Sequence, residues 1–194
     1  VSSAASDVYK RQSSFLVFAC FAFLSCGSER NYYVLSPAGK APLNQGIGLG
    51  IGPVNMADYL VERPYLIFQS SPYKMEMSDL HEWSGELSDN FGRVLGTNLG
   101  RRLGTGNIHS YPSNPNSKNR YQIAVDLNQF HGDDQGDAIL EASWRIYALP
   151  GSTVVRSHTS TLRCPLEKDG YESLVAAQSK LVDMLSAEIA AAIR

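Results

Sequence analysis

Tyr121-Gln122-Ile123-Ala124-Val125-Asp126-Leu127-Asn128 sets Tyr, Ile, Val and Leu at alternate positions, with small or polar residues between them. Strand side chains alternate between faces, so this period of two describes a strand with one face in a core and the other toward water. Leu140, Ala142, Trp144 and Ile146 repeat the alternation. The two runs are joined by His131-Gly132-Asp133-Asp134-Gln135-Gly136-Asp137, whose Gly and Asp content predicts a hairpin connection at the surface. Pro150-Gly151 then turns the chain into Thr153–Arg163, a Thr-rich polar stretch that suits an edge strand.

Beyond this meander the period changes to that of a helix. From Tyr171 to Ile193, Leu174, Leu181, Leu185 and Ile189 line one helical face. Toward the N-terminus, Leu80, Trp83, Leu87, Phe91, Leu95, Leu99 and Leu103 recur every three or four residues and predict a helix over Asp79–Leu103. Asp79 is read as its N-cap with Glu82 three residues on, and Gly104 as its stop. Gly92, Gly96 and Gly100 fall at every fourth position of that helix, each costing up to about 1 kcal/mol relative to Ala. Such a stripe implies close packing, against a sheet or against a neighbouring subunit. Asp89, Arg93, Arg101 and Arg102 exclude a membrane-embedded helix pair.

Further N-terminal, Asn31–Leu35 and Tyr65–Gln69 read as strands, Asn55–Val61 as a helical turn, Ala38–Gln45 as a loop and Ile108–Tyr111 as a short strand. Pro112–Arg120 is a polar loop. Gly46–Val54 alternates glycine with Ile47, Leu49 and Ile51, giving a strand closely approached on its bare face and ended by Pro53. These elements make a single α/β (α+β) domain over residues 31–194, a mixed and largely antiparallel sheet packed against two main amphipathic helices.

Several functions lose their footing on composition. The 194 residues carry 17 Lys and Arg against 19 Asp and Glu, a net charge of −2 with signs interspersed, so no basic stripe awaits nucleic acid. Gly46–Gly52 has glycines like a dinucleotide loop, but Pro53 and not a helix follows. His131–Asp137 lacks the ligand spacing of a calcium loop. His81, His109 and His158 share no metal-ligand spacing, and no nucleophile elbow is present. No cofactor, metal or catalytic residue is assigned. Trp83 and Trp144 are expected in the core.

The N-terminus directs the functional reading. Val1–Gln12, small and aperiodic and opening on Val, reads as a truncated or foreign leader outside the fold. Lys10 and Arg11, the apolar run Phe15–Leu24 and Ser25-Cys26-Gly27 follow the order of a secretory signal, with an apolar run too short to span a bilayer. Residues 1–25 are thus a leader with signal peptide and 26–30 a tether. Phe23-Leu24-Ser25-Cys26 resembles a bacterial lipobox, with Phe23 where Leu is usual, making Cys26 the expected lipidation site. Gly27 is not the Asp that typically retains such proteins at the inner membrane, which favours the outer one. Cys20 lies in the discarded segment, so Cys164 remains without a disulfide partner, expected as a partly buried small apolar residue. Beyond Cys26 no apolar run reaches the roughly 18 residues of a membrane span, leaving the N-terminus as the membrane tie.

The order of Cys26, Asn31-Tyr32-Tyr33-Val34-Leu35, Ile47–Val54, Asp58-Tyr59-Leu60, Arg63-Pro64, the Trp83 helix with Arg93-Val94-Leu95 and Asn98-Leu99, and Asp169-Gly170-Tyr171 resembles the ABC-type transport auxiliary lipoproteins, the PqiC or YmbA-like family. The resemblance covers the whole mature domain. It implies a non-enzymatic, periplasm-facing lipoprotein of the outer membrane serving an MCE-type lipid transporter. The implied partners are an MCE-domain protein and its ABC transporter and permease subunits, with homo-oligomerisation a use for the glycine stripe. Two other readings compete: a lipid carrier with its own closed apolar pocket, and an envelope hydrolase with a Ser or carboxylate paired to His in a cleft.

Overall fold

The computed structural model describes residues 29–40, 46–113 and 117–193. Within them the chain runs β1 (Asn31–Tyr33), β2 (Gly48–Met56), α1 (Asp58–Val61), β3 (Tyr65–Ser71), β4 (Lys74–Trp83), α2 (Leu87–Leu103), β5 (Ile108–Ser110), β6 (Asn119–Asp133), β7 (Asp137–Ala148), β8 (Thr153–Pro165) and α3 (Tyr171–Ile193). All eight strands belong to one mixed sheet. The long ladders β6–β7 and β7–β8 are antiparallel, as is β3–β4. The parallel pairings, β1–β4, β2–β5, β2–β6 and β3–β6, are shorter than the β6–β7 and β7–β8 ladders.

β6 is the axis of the sheet. Its first half pairs with β2 and its last residues with β3, Phe68 opposite Gly132 and Gln69 opposite Asp133, while β7 takes the whole other edge. Ile123, Val125 and Leu127 are buried as the alternation requires. At Asn128 the register with β7 slips by one residue, and beyond this bulge the alternation reverses. Phe130 therefore turns toward the helices, where it meets the ring of Phe91 edge-on with centroids 5.7 Å apart. β8 pairs only with β7 and forms the sheet edge that its composition indicated.

Both long helices cover one sheet face. Leu174, Leu181, Leu185 and Ile189 of α3 are all buried in a core shared with Leu49, Ile51, Trp83, Phe91, Leu95 and Trp144. α2 has no side-chain N-cap and begins after Glu86 in extended backbone. It ends in a left-handed Gly104, φ 67°, with the Thr105 N–H bonded back to the Gly100 carbonyl at 2.8 Å. After β1 the chain straps across both helices. The Leu35 and Ala38 N–H groups donate to Oδ1 of Asn90 (3.1 Å) and Asn98 (2.9 Å), and the Ser36 N–H to Ser179 Oγ (3.1 Å). These contacts account for two asparagines buried on α2.

Two expectations are corrected. The helix predicted from Asp79 starts only at Leu87; Asp79, Leu80 and Trp83 belong to β4, so Asp79 caps nothing and there is no Trp83 helix. The apolar spacing of residues 80–91 matches a helix by coincidence, across a strand that bulges. Between the pairings Tyr65–Glu82 and Ile67–Met77, β4 spends three more residues than β3, and Gly85 at φ 99° breaks the chain before α2. Pro53 does not end β2, which continues to Met56. Between the pairings Ile51–Ile123 and Val54–Val125, β2 is one residue longer than β6, so Pro53 occupies a bulge where no ladder N–H is needed.

Candidate functional site

Cys26, the expected lipidation site, lies outside the described residues, as do the whole of the expected leader, residues 1–25, and residues 26–28 of the expected tether. The structure begins at Glu29 and at once holds the chain. The Arg30 guanidinium pairs with the buried carboxylate of Glu82 at 2.8 Å, and Asn31–Tyr33 adds to β4 in parallel. Tyr33 donates to or accepts from His81 Nδ1 at 2.9 Å, and His81 stacks on Tyr171 with ring centroids 4.0 Å apart. Burial raises the pKa of the Tyr33 hydroxyl above its ordinary value. The start of β1 is thereby tied to β4 and to the first turn of α3.

The His131–Asp137 segment is not wholly the surface turn that its composition suggested. Only Asp134, Gln135 and Gly136 turn; His131 and Asp133 are buried at the end of β6, on the side that the Asn128 bulge directs away from the helices. Asp133 Oδ1 accepts the N–H groups of Gln135 (3.0 Å) and Asp137 (2.9 Å), and its Oδ2 accepts from Arg163, whose Nε also reaches Asp137 at 3.2 Å. Burial pushes the Asp133 pKa up, but the Asp137 N–H, the Arg163 guanidinium and the Gln135 N–H together hold it below the usual value. Burial lowers the pKa of His131, whose Nδ1 lies 3.0 Å from the Gly132 carbonyl. This cluster is a staple for the β6–β7 turn.

The glycine stripe packs against the sheet. A Cβ on Gly96 would stand 3.0 Å from Ile108 Cγ2 and 3.1 Å from Ile51 Cγ1, and one on Gly100 would stand 2.6 Å from the Thr105 carbonyl oxygen. The glycine side of β2 is likewise filled, by Gln122 and Asn119 from β6. Two adjoining open clefts of about 210 and 340 Å³ run along α2, with Arg93 and Ser110 lining both. A third, of about 360 Å³, has an apolar wall of Phe68, Leu166, Tyr171 and Leu174 beside Asp133, Asp134 and Asp169.

The remaining titratable groups are spread out. His109 bonds Asn107 at 2.7 Å, and His158 meets Trp144 edge-on at 5.7 Å. Ser160 Oγ, between the indole N–H of Trp144 and the carboxylate of Glu188, is buried. Among the described residues no group of His, Cys, Asp and Glu has the arrangement to hold a metal ion. Cys164 is buried, as its isolation in sequence suggested. No described helix is long and apolar enough to cross a membrane.

A family model described as "ABC-type transport auxiliary lipoprotein component" matches residues 33–190. Among curated proteins none matches the sequence. Among solved structures, the crystal structure of an uncharacterized protein superposes with a TM-score of 0.70 at 20% identity, covering 86% of this chain and 99% of that one. A Xanthomonas campestris protein of the family DUF330 gives 0.64 at 16% identity, covering 82% and 92%. At such identities they show the fold alone. A PelC dodecamer from Paraburkholderia phytofirmans, TM-score 0.44 at 10% identity over 79% and 96%, is too loose a likeness to carry its assembly over.

Proposed function

Since the chain belongs to the ABC-type transport auxiliary lipoprotein family, we propose that it is anchored through acylated Cys26 to the periplasmic face of the outer membrane and docks the end of an MCE-type lipid-transport assembly driven by an ABC transporter and permease. The family matters here as an auxiliary lipoprotein component and is no known enzyme class. The observation that bears most weight is Cys26 itself, at the end of a signal-like apolar run and seven residues ahead of the family match. Several acyl chains, at about 0.8 kcal/mol per buried methylene, hold a protein at a membrane durably. In this reading the domain binds and does not make bonds, residues 1–25 are removed, and residues 26–30 are the tether of the domain 31–194.

A lipid-carrier role has one feature in its favour, the partly apolar cleft at Phe68, Leu166, Tyr171 and Leu174. Against it, the cleft is open and flanked by three carboxylates, and the space between helices and sheet is filled by packed side chains.

The test is expression of the full precursor in a diderm host, membrane fractionation, and affinity purification from solubilised membranes with mass spectrometry. Acylated Cys26 in the outer-membrane fraction, with MCE and ABC subunits co-purifying, is expected. Unacylated protein without those partners would overturn the docking role and leave the carrier reading in front.

A further inference from the structure

The β3–β4 hairpin reaches past the body of the domain. β3 last pairs with β6 at Gln69 and continues to Ser71 before the Pro72-Tyr73 turn. Tyr73 is 100% exposed, and Met75 and Met77 retain 37% and 40% of their surface. Met75 lies opposite Gln69 and Met77 opposite Ile67, so the two thioethers share one face of the hairpin, two and four residues on from the tyrosine. Lys74 and Glu76 alternate with them and pair with each other at 2.6 Å. An exposed phenol and two flexible apolar side chains grouped at a projecting tip mark a surface that meets something apolar.

The direction of the chain says what. β1 is parallel to β4 with Asn31 opposite His81, so the strand direction at Asn31 points back toward the end of the sheet that carries the hairpin tip. Lys74 precedes His81 by seven residues, but the β4 bulge shortens that stretch to about five strand steps, about 17 Å. Cys26 precedes Asn31 by five, a reach of at most about 17 Å. Five residues are therefore long enough for a lipid at Cys26 and the hairpin tip to meet one membrane surface, into which interfacial apolar groups sink about 5 to 10 Å. Charges of both signs crowd the same end, Glu76 paired with Lys74, Asp133 and Asp137 with Arg163, and Glu167 with Lys180, and such a mixed surface matches a zwitterionic leaflet.

Building on the acylation of Cys26, we propose that the β3–β4 hairpin tip is a second membrane contact: Tyr73, Met75 and Met77 enter the interfacial layer of the zwitterionic leaflet that holds the anchor. Tyr73 seats its ring at headgroup level, as amphipathic aromatics do. Two contacts, one covalent and one apolar, orient the domain where a lipid anchor alone would leave it free to swivel.

The experiment uses the processed acylated protein in phosphatidylethanolamine–phosphatidylcholine vesicles, with an indole introduced by Tyr73→Trp and, as control, by Val155→Trp on the exposed edge strand near the far end of the sheet. Trp83 and Trp144 are buried and form a constant background. Lipids brominated on the acyl chain are expected to quench roughly half of the added Tyr73→Trp emission, as for a ring at headgroup depth, and none of the Val155→Trp emission. The measurement is repeated with Cys26 coupled to a maleimide lipid in a Cys20→Ser, Cys164→Ser background. Quenching in the coupled protein with Cys26 found unacylated in cells removes the natural anchor but keeps the hairpin contact. An anchored protein whose Tyr73→Trp indole emits as in water overturns the hairpin contact and leaves the anchor standing.

Discussion

The two long helices lie side by side on one sheet and share one apolar core, but one flank of α2 meets its neighbours by a different chemistry. α3 presents side chains: Leu174, Leu181, Leu185 and Ile189 fill the space above β6, β7 and β8. α2 presents, on one flank, its own backbone, with Gly92, Gly96 and Gly100 seated on Val54, Ile51, Ile108 and Thr105. A helix docked through leucines is weakened by removing atoms; one docked through glycines is weakened by adding them. The ion pair of Arg102 with Asp183 at 2.6 Å joins the two but decides neither packing.

Substitutions can break or sharpen this contrast. The largest effect is expected from Leu181→Ala, whose fully buried side chain leaves a cavity beneath α3 and a loss of about 2 to 5 kcal/mol in urea unfolding. A loss under about 1 kcal/mol would mean that the α3 interface collapses readily and is not the close-packed one described. Gly100→Ala comes next. Ala gains up to about 1 kcal/mol of helix propensity, but its Cβ meets a backbone oxygen at 2.6 Å, which cannot swing away, so a net loss of about 1 to 3 kcal/mol is expected. Gly92→Ala reverses the sign. Its Cβ would stand 3.5 Å from Val54 Cγ2, an ordinary contact, so thermal unfolding should report a gain of up to about 1 kcal/mol. If Gly92 and Gly100 responded alike, the stripe would not be packing as the distances require.

Acid is expected to act on the end of β6, where His131 and Asp133 are buried on the side away from the helices. Burial holds the folded pKa of His131 below the usual 6.5, so below that pH the unfolded chain binds more protons and stability falls as pH falls. Asp133, also lowered, contributes a second loss below its usual 3.8, as pH drops toward its folded value. Urea midpoints measured from pH 7 downward should show both steps, and His131→Gln should flatten the upper one alone.

Elements whose periodicity came from burial were legible beforehand. Tyr171–Ile193 is a helix over the span its leucines indicated, and the alternating strands stand where the pattern put them. The glycine stripe was readable as close packing, with the choice between sheet and neighbour left open; its contacts are with the sheet. β4 was not legible. An exposed hairpin strand has no buried face to impose a period of two, and the leucine and tryptophan at its end fall by accident in phase with the helix that follows. His131 was read as part of a turn because nothing local marks a one-residue bulge at Asn128; only the pairing with β7 creates it.

For the functional surfaces the division is sharper. In the proposed reading Cys26 and its context are a linear signal, addressed to processing enzymes that read an unfolded N-terminus, and only the sequence carries it. The local pattern likewise determined the layered α+β class, since amphipathic faces must be buried and only a few layer arrangements bury them. The tertiary structure decided what depends on distance between remote residues: that β1 pairs in parallel with β4, that β3 overruns β6 and leaves Tyr73 exposed, and that Asp133 closes on Arg163 thirty residues away. Pairing registers set those distances, and a register comes from both strands at once, so neither strand's sequence states it.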